Sequence, residues 1–266
     1  ASEKFIQEVF WRSYWKGWLE MRPQVWRDYE LCRDQDLADW EGRPELQDAR
    51  TGNTGITCFD FWVRELVETN YLHNHARMWF ASIWIFTLRL PWTLGADFFM
   101  QHLLDGDPAS NTLSWRWVGG LQTRGKTYLA RADNICKFTR GRFNPASQLA
   151  MDAQPLDGPV APAPKTLSFQ NPVSPDTPYV LIVTEDDLGI ESLDISSKCL
   201  RQIINVNCSE KRSPNGISRR VAGFITNAMS TTIEFANELS IPVVQCDPDD
   251  IRGIINTVNA SGARQV

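Results

Sequence analysis

The 266-residue chain lacks most of the short signatures that settle a function at once. None of its six cysteines, at 32, 58, 136, 199, 208 and 246, forms a CxxC pair, which removes the usual zinc and iron–sulfur spacings. Reduced thiols in a cytoplasmic protein are the reading that remains. No uncharged apolar run reaches the roughly 18–20 residues that span a bilayer. The longest candidate, MWFASIWIFTLRLPW at 78–92, is interrupted by Arg89 and Pro91. A signal-peptide pattern is also missing. So are GxGxxG and GxxxxGK, and no phosphate loop is read. HNH at 73–75 has no third ligand, and a helix would point His73 and His75 to different faces, so no metal site is expected.

An excess of positive charge is absent too. The net charge is −5, which argues against wholesale coating of nucleic acid. Its distribution is uneven: residues 1–145 hold 18 basic and 18 acidic residues, and the remainder hold 9 and 14. The acidic excess therefore lies entirely in the C-terminal part. The run RGKTYLARADNICKFTRGR at 124–142 has six basic residues against one acidic, a composition that fits a solvated face as readily as a phosphate track.

What is present divides the chain. All eleven tryptophans and all three histidines lie at or before Trp117. Residues 151–178 hold seven of the fifteen prolines without periodicity and read as a linker. Beyond them, YVLIVT (179–184), CLRQIINVN and IPVVQC (241–246) read as strands. ISRRVAGFITNAMSTTIEFANEL and DPDDIRGIINTVNA read as helices, the second with Asp247 or Asp249 near its start. Strands alternating with helices predict a small parallel α/β domain over 179–266.

The first 150 residues read as helical. EKFIQEVFWRSYWKGWLEM places Glu8, Trp11 and Arg12 on one helix face at i, i+3 and i+4. HNHARMWFASIWIFTL does the same for Asn74, Arg77 and Met78. In DGDPASNTLSWRW, Asp107 reads as an N-cap with Pro108 at the first helical position, and Asn111 and Trp115 lie one turn apart. Three helices that each carry a polar–aromatic cluster suit the walls of a pocket. The plainer alternatives are core packing for Trp15, Trp18, Trp79 and Trp84, and a structural ion pair for Arg77 with Asp105.

Taken together, EVFWRSYW, TGNTGITCFDFWVREL, YLHNHARM, LPWTLGADFFMQHLLDGDPASNTLSWRW and FNPASQ resemble the FAD-binding helical domain of the photolyase/cryptochrome family. They follow family order from about Glu8 to Gln148, and the chain is most similar to bacterial cyclobutane-dimer photolyase-like proteins. The resemblance implies a mainly α fold with FAD as cofactor, followed by the α/β segment. It makes Asn74, Arg77, Asp105, Asp107 and Asn111 cofactor-binding. Arg77 and Asp105 match the ion pair beside the isoalloxazine, Asp107 a partner for the flavin's polar edge and ribose, and Asn111 the group that faces N5. Trp115 and Trp92 match the inner members of the tryptophan chain that reduces the flavin in light.

On the substrate side, Glu8, Trp11, Arg12, Asn74, Met78 and Trp117 match positions that hold a flipped-out cyclobutane pyrimidine dimer in UV-damaged DNA. Glu8, Asn111, Trp92 and Trp115 are thereby the catalytic candidates. The (6-4) photolyases carry histidines where this chain has Asn74 and Met78, which disfavours that subclass. Two departures stand out. His75 replaces the usual Arg of the HNR motif, which contacts phosphate in the family. Ala49 falls where the outermost Trp of the electron chain is expected, leaving Trp62 or Trp84 to substitute. The resemblance thus implies light-driven dimer repair, with a photoreceptor lacking repair, or a degenerate flavin-fold binding module, as the alternatives. It also leads one to expect a chain truncated at both ends, because the antenna domain and the loop that grips the flavin pyrophosphate are not matched.

Overall fold

The computed structural model describes residues 2–167, 174, 176–193 and 198–266, and the chain divides into two units, Ala1–Leu167 and Ser168–Val266. Unit 1 is helical: α1 Ser2–Glu20, α2 Pro23–Trp40, α3 Pro44–Thr51, α4 Thr57–Thr69, α5 Asn74–Ser82, α6 Trp92–His102, α7 Pro108–Val118 and α8 Ala132–Phe138. Proline opens α2, α3 and α7, where the missing N–H costs nothing and the fixed φ is already helical. Gly52 (φ 71°) and Asn70 (φ 58°) end α3 and α4 in the left-handed region.

The stretch read as helical over 73–88 runs without a break from Asn74 to Thr87 but changes pitch at Ile83. His73 is the N-cap of α5, its Nδ1 accepting the His75 N–H at 3.3 Å, and Ile83–Thr87 form a π-helical turn. That wider turn carries Trp84, whose Nε1 donates to the Pro91 carbonyl at 2.8 Å. Phe59, Phe80, Trp84, Leu94 and Trp115 are fully buried and make the centre of the unit. Gly95 is required here. A Cβ on it would fall within the indole of Trp115 and come to 3.0 Å of Trp84 Cε2, so glycine lets α6 and α7 close around the two rings.

Prolines at 155, 159, 162 and 164 do not make a free tether. The Leu156 N–H donates to Gly119 O at 2.9 Å, the Lys165 N–H to Met21 O at 2.8 Å, and Arg22 Nε to Pro162 O at 3.2 Å. Proline blocks helix and ladder pairing but not an extended strap bonded through its other residues, and composition does not tell the two apart. Residues 168–173 and 175 of the expected linker lie outside the described residues.

Unit 2 carries a parallel sheet in the order β1 Tyr179–Thr184, β2 Leu200–Val206, β3 Val243–Cys246, with α9 Arg219–Glu238 and α10 Ile251–Ala260. Alternate residues of β2 face opposite layers: Ile203 packs with Ala236 of α9, and Ile204 with Ile254 and Val258 of α10. The N-cap of α10 is Asp250, whose Oδ1 accepts the Gly253 N–H at 2.8 Å. Asp247, expected near that start together with Asp249, instead accepts the Asp249 N–H at 2.9 Å and forms the turn before it. Neither of the two expected carboxylates caps: Asp247, Asp249 and Asp250 all precede the helix in sequence, and only the turn decides that Asp250 does.

Candidate functional site

Three segments of unit 1 bring the singled-out residues together around a cavity of about 660 Å³, which the end of α6 also lines. α1 contributes Glu8, Trp11 and Arg12; α5 contributes Asn74, Arg77 and Met78. The segment from Asp105 through α7 contributes Asp105, Asp107, Asn111, Trp115 and Trp117. Of the residues singled out in the sequence for cofactor, substrate or catalysis, Trp92 alone is not in these walls. It starts α6 with its ring 5.5 Å from Tyr29.

Each wall has a local cause. Arg77 is steered by a hydrogen bond from Nε to the Leu72 carbonyl (2.8 Å), and its Nη1 and Nη2 each reach an Asp105 oxygen at 3.0 Å. Asp107 caps α7, with Oδ1 accepting the Ser110 N–H at 2.7 Å. Its Oδ2 is buried 3.5 Å from both Arg12 Nη2 and Lys16 Nζ, with no hydrogen bond. Asn111 Nδ2 donates to the Ala96 carbonyl at 2.8 Å, which commits the amide nitrogen to α6 and leaves Oδ1 as the other polar atom. The two outer indoles are braced by other rings: Trp11 stacks on Trp15 (5.9 Å, 27°) and Trp117 on Tyr128 (5.6 Å, 27°).

The donors and acceptors present fit a flavin. Ser110 Oγ and Trp115 Nε1 are buried in the cavity wall without a hydrogen-bond partner, an arrangement that is costly unless a polar ligand satisfies it, and Asp107 Oδ2 has its two cations but no hydrogen bond. Aromatic and aliphatic surface from Trp15, Phe99 and Leu103 lines the same space, as a planar ring system requires. Residues 77, 105, 107 and 111 would hold the ring.

Other expectations are redrawn by the structure. His73 and His75 are not splayed: their rings stack at 5.5 Å, and His75 stacks in turn on Trp79 at 5.6 Å and meets Phe138 at 4.9 Å. Because His73 caps the helix from outside it, helical spacing does not apply to the pair. Among the described residues no group of three or more His, Cys, Asp or Glu is placed to hold a metal. No described helix is long and apolar enough to cross a membrane.

The basic run 124–142 contributes no residue to the cavity walls. Its Arg142 lies over Phe61 at 4.1 Å, and Arg131 pairs with Asp133 at 3.3 Å. Ala49 is fully buried in the core, while Trp84 lies edge-on to Trp115 at 6.2 Å and Trp62 stacks on Trp79 at 5.4 Å. Sequence reasoning missed Ser110 and Tyr128. Ser110 was legible as the third residue after the Asp107 cap. Tyr128 sits in a loop with no period to read, and burial pushes its phenol above the usual range against a hydrogen bond from Trp79.

Comparison with known proteins matches residues 5–150 to the family described as the FAD binding domain of DNA photolyase. The deoxyribodipyrimidine photo-lyase of Streptomyces griseus is 34% identical over 148 residues, 51% of this chain and 32% of that protein. That of Escherichia coli (strain K12) is 30% identical over 129 residues, 48% and 27% of the two chains. The mitochondrial enzyme of Saccharomyces cerevisiae is 34% identical over 116 residues, 43% and 20%. The chain thus matches about a third or less of the length of these relatives.

Proposed function

The chain belongs to the family of the FAD binding domain of DNA photolyase, FAD is its cofactor, and on that premise we propose that it serves light-driven repair of cyclobutane pyrimidine dimers in DNA. The observation that carries the reading is the convergence of Glu8, Trp11, Asn74, Arg77, Asp105, Asp107, Asn111 and Trp117 on one cavity from three separate segments. FAD bound there supplies the light-driven electron transfer, and the protein supplies geometry and electrostatics.

Within that reading, Arg77, fixed by Asp105, sets a cation beside the ring. Asn111 offers an amide oxygen without adding charge. Trp115, buried at the cavity wall, would be the side chain that passes an electron to the bound flavin in light. Trp11 and Trp117 take the unstacked dimer between them. Stacking of this kind contributes about 1–3 kcal/mol per base, comparable with the cost of extruding a damaged base. Glu8 hydrogen-bonds the dimer, and Arg12 holds a flanking phosphate. The test is illumination of the reduced, FAD-loaded protein with a thymine-dimer oligonucleotide. Dimer loss that follows blue-light dose supports the proposal.

A photoreceptor without repair is the second reading, and His75 favours it. Where the family places an arginine on phosphate, this imidazole is packed against Trp79 and Phe138, which removes a DNA contact but none of the flavin's. Flavin binding without dimer loss in the same assay would select it.

A further inference from the structure

The strap at 155–165 lies beyond residues 5–150, which match the family, and none of it lines the cavity. Its two ends nevertheless grip the helices that carry the outer indoles, Trp11 on α1 and Trp117 on α7. At the α7 end the fit is reciprocal. Leu156 lies over Gly119, where a Cβ would come to 2.8 Å of its Cδ1, and Leu121 lies over Gly158, where a Cβ would come to 2.9 Å of Leu121 Cδ2. Pro155 covers Gly120 in the same way, at 3.2 Å. Three glycines thus leave room for the strap to seat, and the Leu156 N–H to Gly119 O hydrogen bond fixes its register. At the other end, Ala161 packs against the cluster of Leu19, Val25, Ala109 and Leu113, the apolar seam between α1, α2 and α7. Just past the end of α1, Met21 O accepts the Lys165 N–H and Arg22 Nε donates to Pro162 O.

Between these anchors residues 157–160 are exposed, and an extended chain from 156 to 161 reaches at most about 18 Å, so the tie is short. α1 needs such a tie. Phe5, Ile6, Val9, Phe10 and Tyr14 are exposed, so the half of the helix that carries Glu8, Trp11 and Arg12 makes little core of its own. Its position is set by Trp15, Trp18 and Leu19 further along and by the 3.5 Å approach of Arg12 and Lys16 to Asp107. We propose that the strap is a clasp that holds α1 against α7 and so fixes the width of the cavity from outside it, with Leu156 and Ala161 as positioning residues. What the cavity takes up rests on the proposed function; that the strap holds its wall does not.

The test uses the full chain with a specific protease site inserted between the exposed Pro159 and Val160, compared before and after cutting. Cutting separates the two anchors without touching the cavity. Amide exchange, read by mass spectrometry without ligand, should then quicken in α1 and stay unchanged in α4. FAD titrated by flavin fluorescence should bind about tenfold more weakly, the factor expected when a wall is docked only about a tenth of the time. Leu156→Ala should reproduce both effects in the uncut chain, and the volume-conserving Leu156→Met should show neither. Unchanged exchange in α1 on cutting overturns the inference, whatever the chain binds. Faster exchange in α1 with undiminished FAD affinity overturns the link to the cavity. Absence of FAD binding before cutting would sink the functional reading alone, and exchange in α1 would still decide the clasp.

Discussion

Arg77 and Asp105 stand 28 residues apart in sequence and meet through two hydrogen bonds of 3.0 Å each. The pair ties the start of α5 to the loop before α7 at the edge of the cavity. Asp105 is about half exposed, so the pair itself should add no more than about 1 kcal/mol to stability. Asp105→Asn should therefore shift the thermal midpoint little and lower FAD affinity clearly. A melt and a flavin titration on the same sample separate the two effects, and parallel losses would make the pair merely structural.

Gly95→Ala tests the close approach of α6 to α7. The added methyl has no room beside Trp115 and Trp84, and overpacking of this sort costs about 1–3 kcal/mol. Denaturant unfolding should show that loss, with an altered tryptophan emission. An unchanged midpoint would mean that the two rings can shift aside freely.

How the halves of this molecule could be read from sequence differs by cause. The cap at Asp107, the i, i+4 pair Asn111–Trp115 and the cluster on α1 follow from helical period, and the structure puts them where that period places them. The strap at 155–165 was not legible, because its order comes from hydrogen bonds to Gly119 and Met21, distant in sequence. The His73–His75 stack was hidden by a helix boundary that falls between the two residues, and Tyr128 by the absence of any pattern in its loop. Sequence reasoning is sound wherever one element supplies the geometry. It fails where two elements must first be brought together.

Half-buried His102 should give the fold a defined pH dependence. Burial lowers its pKa from 6.5, so the unfolded chain binds the proton more readily than the native one. Stability from this site is complete above about pH 6.5 and falls as pH drops from there toward the lowered native value. His102→Asn should flatten the melting temperature across that window. A slope as steep as the parent's would assign the dependence to another group.

DNA binding should follow the cavity rather than the basic run. Arg12→Ala should weaken binding to a dimer-containing single strand and reduce the salt slope by about 0.7 in log K per log salt. Trp11→Ala should cost about 1–3 kcal/mol of affinity for the lesion and little for undamaged strand. Equal losses on both strands would take Trp11 out of the lesion pocket.

Photoreduction should depend on Trp115. Trp115→Phe should abolish or greatly slow flavin photoreduction, because phenylalanine is far harder to oxidise. Rates measured under blue light with an external donor decide it, and parent-like photoreduction would remove the residue from the electron path.

The central claim is that the cavity between α1, α5 and α7 is the flavin site. The visible absorption spectrum of the purified full chain, titrated with FAD, tests it directly when repeated on Arg77→Ala and Asp107→Ala. The account predicts resolved flavin bands at saturation at one FAD per chain, with affinity reduced in both variants. No bound flavin at any concentration, or FAD bound equally by parent and variants, would contradict it.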